Sequence, residues 1–83
     1  MLKVSVISPE RVLFEGEVES LTAPAFDGEV GILTSHAPMM TLLGKGILRL
    51  GPGGTAGTYE VEGGFLQVVD NAVRVVTERA ESR

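Results

Sequence analysis

Leu2-Lys3-Val4-Ser5-Val6 begins the chain with an apolar residue at every second position. Side chains alternate between the two faces of an extended strand, so this spacing predicts a strand with one buried face. The same period of two recurs at Tyr59-Glu60-Val61-Glu62 and at Val73-Arg74-Val75. Strands rather than amphipathic helices are therefore expected to build this protein, and only Ala80–Arg83 could begin a helix.

Turn-forming sequences separate the apolar runs at intervals of about 8 to 12 residues, which is typical of an antiparallel sandwich or barrel. Between Val18 and Leu21 the apolar phase slips by one residue, which predicts a bulge or bend that changes the buried face. The turn-forming sequences are Ser8-Pro9-Glu10, Glu15-Gly16, Asp27-Gly28, Gly51-Pro52-Gly53-Gly54, Gly63-Gly64 and Asp70-Asn71.

Glycine has a different predicted role in each of three stretches. Gly51–Gly57 is expected to be a flexible hairpin connection. Asp27 and Gly28 are predicted to form a structural turn. Gly63-Gly64 is predicted to permit a tight turn or a close approach between strands, which a Cβ atom would block.

Composition restricts the chain to one small domain, residues 1–83, and to few kinds of chemistry. It has no cysteine and one histidine, so disulfides, thiolate zinc sites and multi-histidine metal sites are excluded. The net charge of −4 and the lack of a basic stripe argue against binding nucleic acid or anionic lipid headgroups. The alternating acids of Glu15–Glu19 predict a solvated strand face, with a surface for a basic protein as the alternative.

Catalytic groups are scarce. Ser35 and His36 are adjacent, but neighbours on an extended chain point to opposite faces, which is poor geometry for a nucleophile and its base. Asp27 and Glu29 would share one side of an extended segment, where solvated turn carboxylates are the simpler interpretation. Gly51–Gly57 lacks the Gly-Lys-Ser/Thr ending of a phosphate-binding loop. We therefore expect no enzyme activity, no metal and no cofactor.

The stretch Asp27–Pro38 combines turn residues with apolar residues, which predicts a loop held rigid by packing. Four motifs then occur in order along the chain: Ser-Pro-Glu (8–10), Asp-Gly-Glu-x-Gly-Ile (27–32), His-Ala-Pro (36–38) and Gly-Gly-Phe-Leu (63–66). Together with the segment Val12–Val18, they closely resemble the epsilon subunit of F-type ATP synthase. The resemblance covers essentially the whole chain.

The resemblance implies a fold and a mechanical role. The fold would be a small antiparallel β-sandwich of about ten short strands in two sheets. It would sit at the foot of the rotating central stalk, bound to the gamma subunit and to the polar loops of the membrane c-ring, so that proton flow is coupled to ATP synthesis on other subunits. Such a subunit is peripheral, on the cytoplasmic face of the bacterial inner membrane or the stromal face of the chloroplast thylakoid.

The resemblance also assigns residues to the contact with the c-ring. Glu29 matches the acidic residue of the family's loop that meets the ring, with Val30 and Gly31 beside it. An ion pair with an arginine of the ring loop would fix the register between the two rotor parts. A solvated turn glutamate is the alternative interpretation.

Contacts with gamma are implied for Ser8, His36, Met40 and Thr41. Because one of each adjacent pair on a strand faces inward, at most half of Met39–Leu43 can belong to an interface. A lone histidine is also commonly structural, which is the alternative for His36.

Two departures from the family pattern stand out. Gln67 replaces a commonly expected glutamate, and the two-helix hairpin that follows the sandwich in typical members does not follow Arg83. The chain is either naturally short or cut at the domain boundary of a longer protein. If it is naturally short, it would couple rotation without hairpin-type inhibition.

Two other function classes are weaker alternatives. A free-standing module for sugar or peptide would present an aromatic platform, but the aromatic residues are dispersed along the chain. A small hydrolase using Asp27, Glu29 and His36 lacks a nucleophile constellation.

Overall fold

The computed structural model describes all residues from 1 to 83, and its only regular elements besides β-strands are three residues of 3-10 turn, Pro52–Gly54. The all-β prediction is confirmed, and the helix that Ala80–Arg83 could have begun does not form. Ala80 to Ser82 pair with Val61 to Tyr59, so this ladder overrides the local helix preference. The strands are β1 (Leu2–Ile7), β2 (Val12–Val18), β3 (Ser20–Ala25), β4 (Gly28–Leu33), β5 (Met39–Leu42), β6 (Lys45–Leu50), β7 (Gly57–Val69) and β8 (Ala72–Ser82).

Hydrogen bonds join these strands into one sheet in the order β2-β1-β8-β7-β6-β3-β4, with β5 paired to β7 beside this path. Eight strands replace the ten expected, because β7 and β8 are 13 and 11 residues long and each runs through both layers of the sandwich. One pair is parallel: the first and last strands start at the same end, with Lys3 opposite Ala72 and Ile7 opposite Val76.

The sheet folds over in the middle of β7. Val61 and Leu66 are both buried although they are five positions apart, so the inward-facing phase reverses between them. Gly63 and Gly64 lie at this reversal, with φ of 72° and 101°. They are not in a turn, because β7 continues through both and keeps the same register with β8 on either side. Gly63-Gly64 was predicted to permit either a tight turn or a close approach between strands, and the structure has the close approach.

One core fills the folded sheet. Three strands separate β1 from β3 in the sheet order, yet both strands contribute to the same buried cluster because the sheet folds back on itself. On one side of the molecule the Tyr59 hydroxyl of β7 donates a hydrogen bond to the Leu13 carbonyl of β2, 3.1 Å away. The cluster consists of Leu2, Val4, Val6, Val18, Leu21, Ala23, Ile32, Leu43, Leu48, Leu50, Val61, Leu66, Val68, Val73 and Val75.

The bend predicted between Val18 and Leu21 is confirmed at Glu19, which separates β2 from β3. Val18 and Leu21 are both buried, although strict alternation would put them on opposite faces. The bend sends β2 to pair with β1 and β3 to pair with β4 and β6. The predicted hairpin connection at Gly51–Gly57 joins β6 to β7. No helix in the structure has the length and apolar character needed to cross a membrane.

Thr77 is the buried polar residue at the fold of the sheet, opposite Gly64. Its hydroxyl lies 2.8 Å from the Arg79 carbonyl oxygen and 3.4 Å from that of Glu62. We expect Thr77→Val, which keeps the shape but removes the donor, to lower the free energy of unfolding by about 1–2 kcal/mol in urea denaturation. The control is Thr22→Val, on a half-buried threonine of β3. Equal effects in the two variants would contradict the role of the Thr77 hydroxyl.

Candidate functional site

The segment expected to meet the c-ring forms an edge strand. The prediction of a rigid loop over Asp27–Pro38 is wrong for Gly28–Leu33, which is β4, and β4 has β3 as its only neighbour. Asp27 lies in the two-residue turn that joins the paired residues Ala25 and Gly28. The alternation of apolar residues among the glycines is what makes this segment a strand rather than a loop.

The three residues proposed for the ring contact do not all face the same way. Glu29 and Gly31 are exposed, whereas Val30 between them is half-buried and packs against the core. The outward surface of β4 is therefore formed by the Glu29 carboxylate, the exposed Leu33 side chain and the open backbone beside Gly31, where nothing lies within 4 Å of a would-be Cβ.

Glu29 already has an ion-pair partner within the chain. Its Oε2 lies 3.6 Å from the Arg49 guanidinium on β6, and the two side chains are 62% and 45% exposed. An exposed pair of this kind contributes about 1 kcal/mol at most. Replacing Arg49, as the partner of Glu29, by a cation on another protein therefore costs little free energy.

The residues expected to meet gamma lie at two ends of the layer formed by β5, the second half of β7, β8, β1 and β2. Ser8 follows Ile7 in the β1–β2 turn, where its amide and its hydroxyl both donate to the Arg11 carbonyl, at 2.9 and 3.2 Å. His36 lies in the β4–β5 connection directly after Ser35, which bonds to Asn71 before the start of β8. The structure does not bring Ser8 and His36 together.

His36 is half-buried. Its Nδ1 lies 2.7 Å from the Ala37 carbonyl oxygen, which can only accept, so Nδ1 carries the hydrogen. Its backbone N–H donates to the Leu33 carbonyl at 3.1 Å, which closes a turn directly after β4.

Between these ends, the residues of β5 alternate between the outer face and the face toward the core. Met40 and Leu42 are 65% and 63% exposed, whereas Met39 is half-buried and Leu43 is buried. Thr41 is half-buried opposite Leu66, on the face that looks toward the core. Two of the five residues of Met39–Leu43 thus face outward, and Met40 is better placed than Thr41 for contact with another protein.

An apolar row crosses the outer face of this layer. One residue from each of five neighbouring strands lies opposite the next, from exposed Leu42 on β5 to exposed Val12 on β2. With strands about 4.8 Å apart, the row is about 19 Å long. Phe26 extends it, because this exposed residue donates its backbone N–H to the Leu42 carbonyl at 3.0 Å. The apolar row comprises Leu42, Phe65, Val76, Ile7 and Val12.

Sequence reasoning missed most of the apolar row, although the sequence carries a signal for it. A strand with one buried face alternates, so an adjacent pair of apolar residues leaves one of them facing outward. Every member of the row is half of such a pair. The pairs are Val6-Ile7, Val12-Leu13, Leu42-Leu43, Phe65-Leu66 and Val75-Val76.

The outer face of the other layer is charged. Lys45, Glu62 and Arg79 lie side by side across β6, β7 and β8, and Arg79 is 3.8 Å from Glu62. Arg83, directly after β8, pairs with Glu60 of β7 at 2.9 Å. These paired, exposed charges are a normal solvated surface. The two outer faces therefore differ in chemistry, and the one with the apolar row has the composition of an apolar protein-binding surface.

The groups of the alternative functions are dispersed. Asp27 precedes β4 and His36 follows it, so roughly 20 Å of strand separates these two of the three side chains considered for a hydrolase. Of the aromatic residues, Phe14 and Tyr59 pack against the core, whereas Phe26 and Phe65 are on or beside the apolar row. The aromatic residues do not form one sugar-binding platform.

A sheet folded over a single core, with an apolar row on one outer face and an ion-paired edge strand, places this protein in the class of small β-sandwich domains. Residues 1–83 match the sequence model of the family described as "ATP synthase, Delta/Epsilon chain, beta-sandwich domain". The chain belongs to this family.

Curated relatives similar to the chain are ATP synthase epsilon chains. That of Leptospira interrogans is 48% identical over 77 residues, covering 93% of this chain and 61% of the relative. That of Synechocystis is 41% identical over 80 residues, covering 96% and 59%. That of Syntrophomonas wolfei is 39% identical over 79 residues, covering 94% and 58%. The chain thus spans about three fifths of the length of these relatives.

Solved structures agree with this assignment. A chain in the cryo-EM structure of the Euglena gracilis mitochondrial ATP synthase (OSCP/F1/c-ring) has a TM-score of 0.86 at 27% identity, covering 98% of this chain and 52% of that one. A chain in the central stalk/c-ring structure of the Tetrahymena thermophila mitochondrial ATP synthase has a TM-score of 0.79 at 18% identity, covering 96% and 65%. The second likeness supports the fold alone.

Proposed function

We propose that this chain is a non-catalytic part of the central stalk of an F-type ATP synthase, linking the gamma subunit to the c-ring. It would turn with both, so that transmembrane proton flow is coupled to ATP synthesis on other subunits. The match of all 83 residues to the epsilon-chain sandwich family carries this proposal. The chemical difference between the apolar row and the outward surface of β4 supports a separate contact for each.

The apolar row is the proposed surface for gamma. Met40 stands beside Leu42 on the same outer face, and Ser8 follows Ile7 at the edge of the row. His36 borders this face at the opposite end of the layer, near Asn71. Burying a row about 19 Å long would supply the apolar centre of a stable interface, with Ser8 and His36 in its polar rim.

Binding to gamma can be tested by mixing the chain with a gamma-containing subcomplex and separating the mixture by size. Co-elution in a fixed ratio supports the proposed function. Elution of the chain by itself, at concentrations where gamma remains folded, contradicts it.

The outward surface of β4 is the proposed contact with the c-ring. Glu29 would form an ion pair with an arginine of a polar ring loop, either in place of its pair with Arg49 or in addition to it. Exclusion of water at the contact would strengthen this new ion pair. Gly31 leaves room beside the carboxylate for the backbone of that loop. Val30 contributes by packing against the core, which holds β4 in place.

Reversing the charge of Glu29 should weaken this contact. We expect Glu29→Lys to raise the Kd of the chain–gamma complex for solubilised c-ring about tenfold, equivalent to about 1.4 kcal/mol, because attraction to the ring cation becomes repulsion. The change in folding stability should stay below about 1 kcal/mol, since the pair with Arg49 is exposed. Glu17→Lys, on the edge strand β2 at the other end of the sheet, is the matched control. Equal ring affinities of the two variants would contradict the site.

The proposed place of the chain in the cell follows from these partners. It would be peripheral, held at the membrane through gamma and the c-ring, on the cytoplasmic face of a bacterial inner membrane or the stromal face of a thylakoid. Fractionation tests this: release from membranes together with gamma supports attachment through the complex, whereas retention after gamma is removed contradicts it.

A further inference from the structure

The connection between β4 and β5, residues 34–38, is tied to the rest of the chain by one long-range hydrogen bond. The backbone N–H of Ser35 donates to Oδ1 of Asn71, 36 residues away in sequence, with a distance of 2.6 Å. The other hydrogen bonds of this connection are local, from His36 to Leu33 and to Ala37.

Ser35 holds a conformation that needs external support. Its φ of 68° lies in the left-handed region, which serine seldom adopts. Residues held in such conformations persist when their surroundings fix them, and they concentrate at functional sites. The hydrogen bond to Asn71 is the long-range contact that fixes Ser35.

Asn71 is itself well anchored. It forms the two-residue β7–β8 turn with Asp70, and the two have positive φ, 62° for Asn71 and 48° for Asp70. Its carbonyl accepts a hydrogen bond from the Lys3 N–H at 2.8 Å, which joins the turn to β1. Asparagine suits this position twice, because it tolerates the left-handed backbone and provides a side-chain acceptor.

We propose that Asn71 is a positioning residue for partner binding: its side chain fixes the 34–38 connection and thereby sets where His36 stands and where β5 begins. This inference rests on the proposed function, because it assigns His36 and β5 to the gamma contact. The residues it positions are the half-buried imidazole of His36 and, three residues further on, the start of the strand that carries Met40 and Leu42. A preformed contact segment binds more tightly because less conformational entropy is lost on association.

Residue 71 must adopt a left-handed backbone and supply a side-chain acceptor, and the test separates these two requirements. Asn71→Gly keeps the left-handed backbone and removes the acceptor, whereas Asn71→Asp keeps both. Asp70→Gly is the matched control, since it places glycine in the same turn without touching the bond to Ser35. Each variant of the 83-residue chain is compared by amide hydrogen exchange at Ser35 and Val75, and by its Kd for gamma.

We expect Asn71→Gly to accelerate exchange at Ser35 at least about tenfold without changing Val75, and to raise the Kd for gamma about fivefold. Asn71→Asp and Asp70→Gly should stay within about twofold of the unmodified chain in both measurements. Unchanged exchange at Ser35 in Asn71→Gly overturns the anchoring role. Faster exchange with an unchanged Kd overturns the role in partner binding. Failure of the unmodified chain to bind gamma overturns the proposed function itself, whereas the exchange measurement still decides the anchoring.

Discussion

Gly64→Ala should leave most of the chain unfolded under conditions in which the unmodified chain is folded. A Cβ at this position would overlap the Val76 carbonyl oxygen and lie 2.7 Å from the Thr77 Cα. Both atoms belong to the backbone of β8, so no side-chain rotation can relieve the overlap. The backbone φ of 101° is a second obstacle, because residues with a Cβ seldom adopt it.

The expected loss in the free energy of unfolding exceeds about 4 kcal/mol, which is in the range of the most damaging single substitutions. A domain of this size has a modest total stability, so a loss of that magnitude removes most of it. Urea denaturation followed by circular dichroism measures the effect as a shift of the midpoint or as the absence of a folded baseline.

Two other glycines provide matched controls for Gly64→Ala. Gly63 also has a positive φ, but its Cβ would meet the carboxylate end of Glu78, a flexible side chain that can move. We expect Gly63→Ala to cost about 1–2 kcal/mol from the backbone conformation alone. Gly31→Ala meets no atom within 4 Å and should stay within about 0.5 kcal/mol of the unmodified chain. A Gly64→Ala variant as stable as Gly63→Ala would show that β7 and β8 do not approach closely at the fold.

Leu42→Asp should greatly weaken binding to gamma while leaving the chain folded. Leu42 is 63% exposed at one end of the apolar row, so a carboxylate there stays solvated in the free chain. In the complex the same carboxylate would be desolvated without a partner, and the apolar contact of the leucine would be lost. Together these two effects predict a loss of at least about 3 kcal/mol in the free energy of binding to gamma, which is roughly a hundredfold increase in Kd.

The chain contains a close control for this substitution. Leu33 is 65% exposed at the end of β4, outside the apolar row. Leu33→Asp therefore makes the same chemical change at nearly the same exposure, and it should change the Kd for gamma less than about threefold. Titration calorimetry with gamma measures both variants. If Leu33→Asp is the variant that loses binding, gamma lies against β4 and the assignment of the two surfaces is reversed.

Much of the fold could be predicted from local patterns. Period-two alternation indicated strands such as Leu2–Ile7, and the phase slip between Val18 and Leu21 indicated the bend that the structure has at Glu19. Both depend on the burial of nearby side chains relative to the backbone, which is a local property of the sequence. The strand count could not be derived in the same way, because Gly63-Gly64 permits either a turn or a continuous, folded strand.

The candidate surfaces were predictable only in part. The resemblance assigns Glu29 and Met40 to contacts with partners, and the structure leaves both side chains exposed. The pairing of Glu29 with Arg49 and the bond from Ser35 to Asn71 join residues 20 and 36 positions apart, and no local pattern encodes such partners. Thr41 was expected at the same contact as Met40. However, the alternation along β5 that turns Met40 outward turns Thr41 toward the core.

The sequence by itself determined that this protein is all-β and to which family it belongs. Each depends on residue type and spacing along the chain. Only the tertiary structure decided that β7 and β8 serve both layers, that β1 and β8 pair in parallel, and that five outward apolar residues form one row. These features depend on which distant strands become neighbours, and that choice is fixed by burying one shared core rather than by any segment on its own.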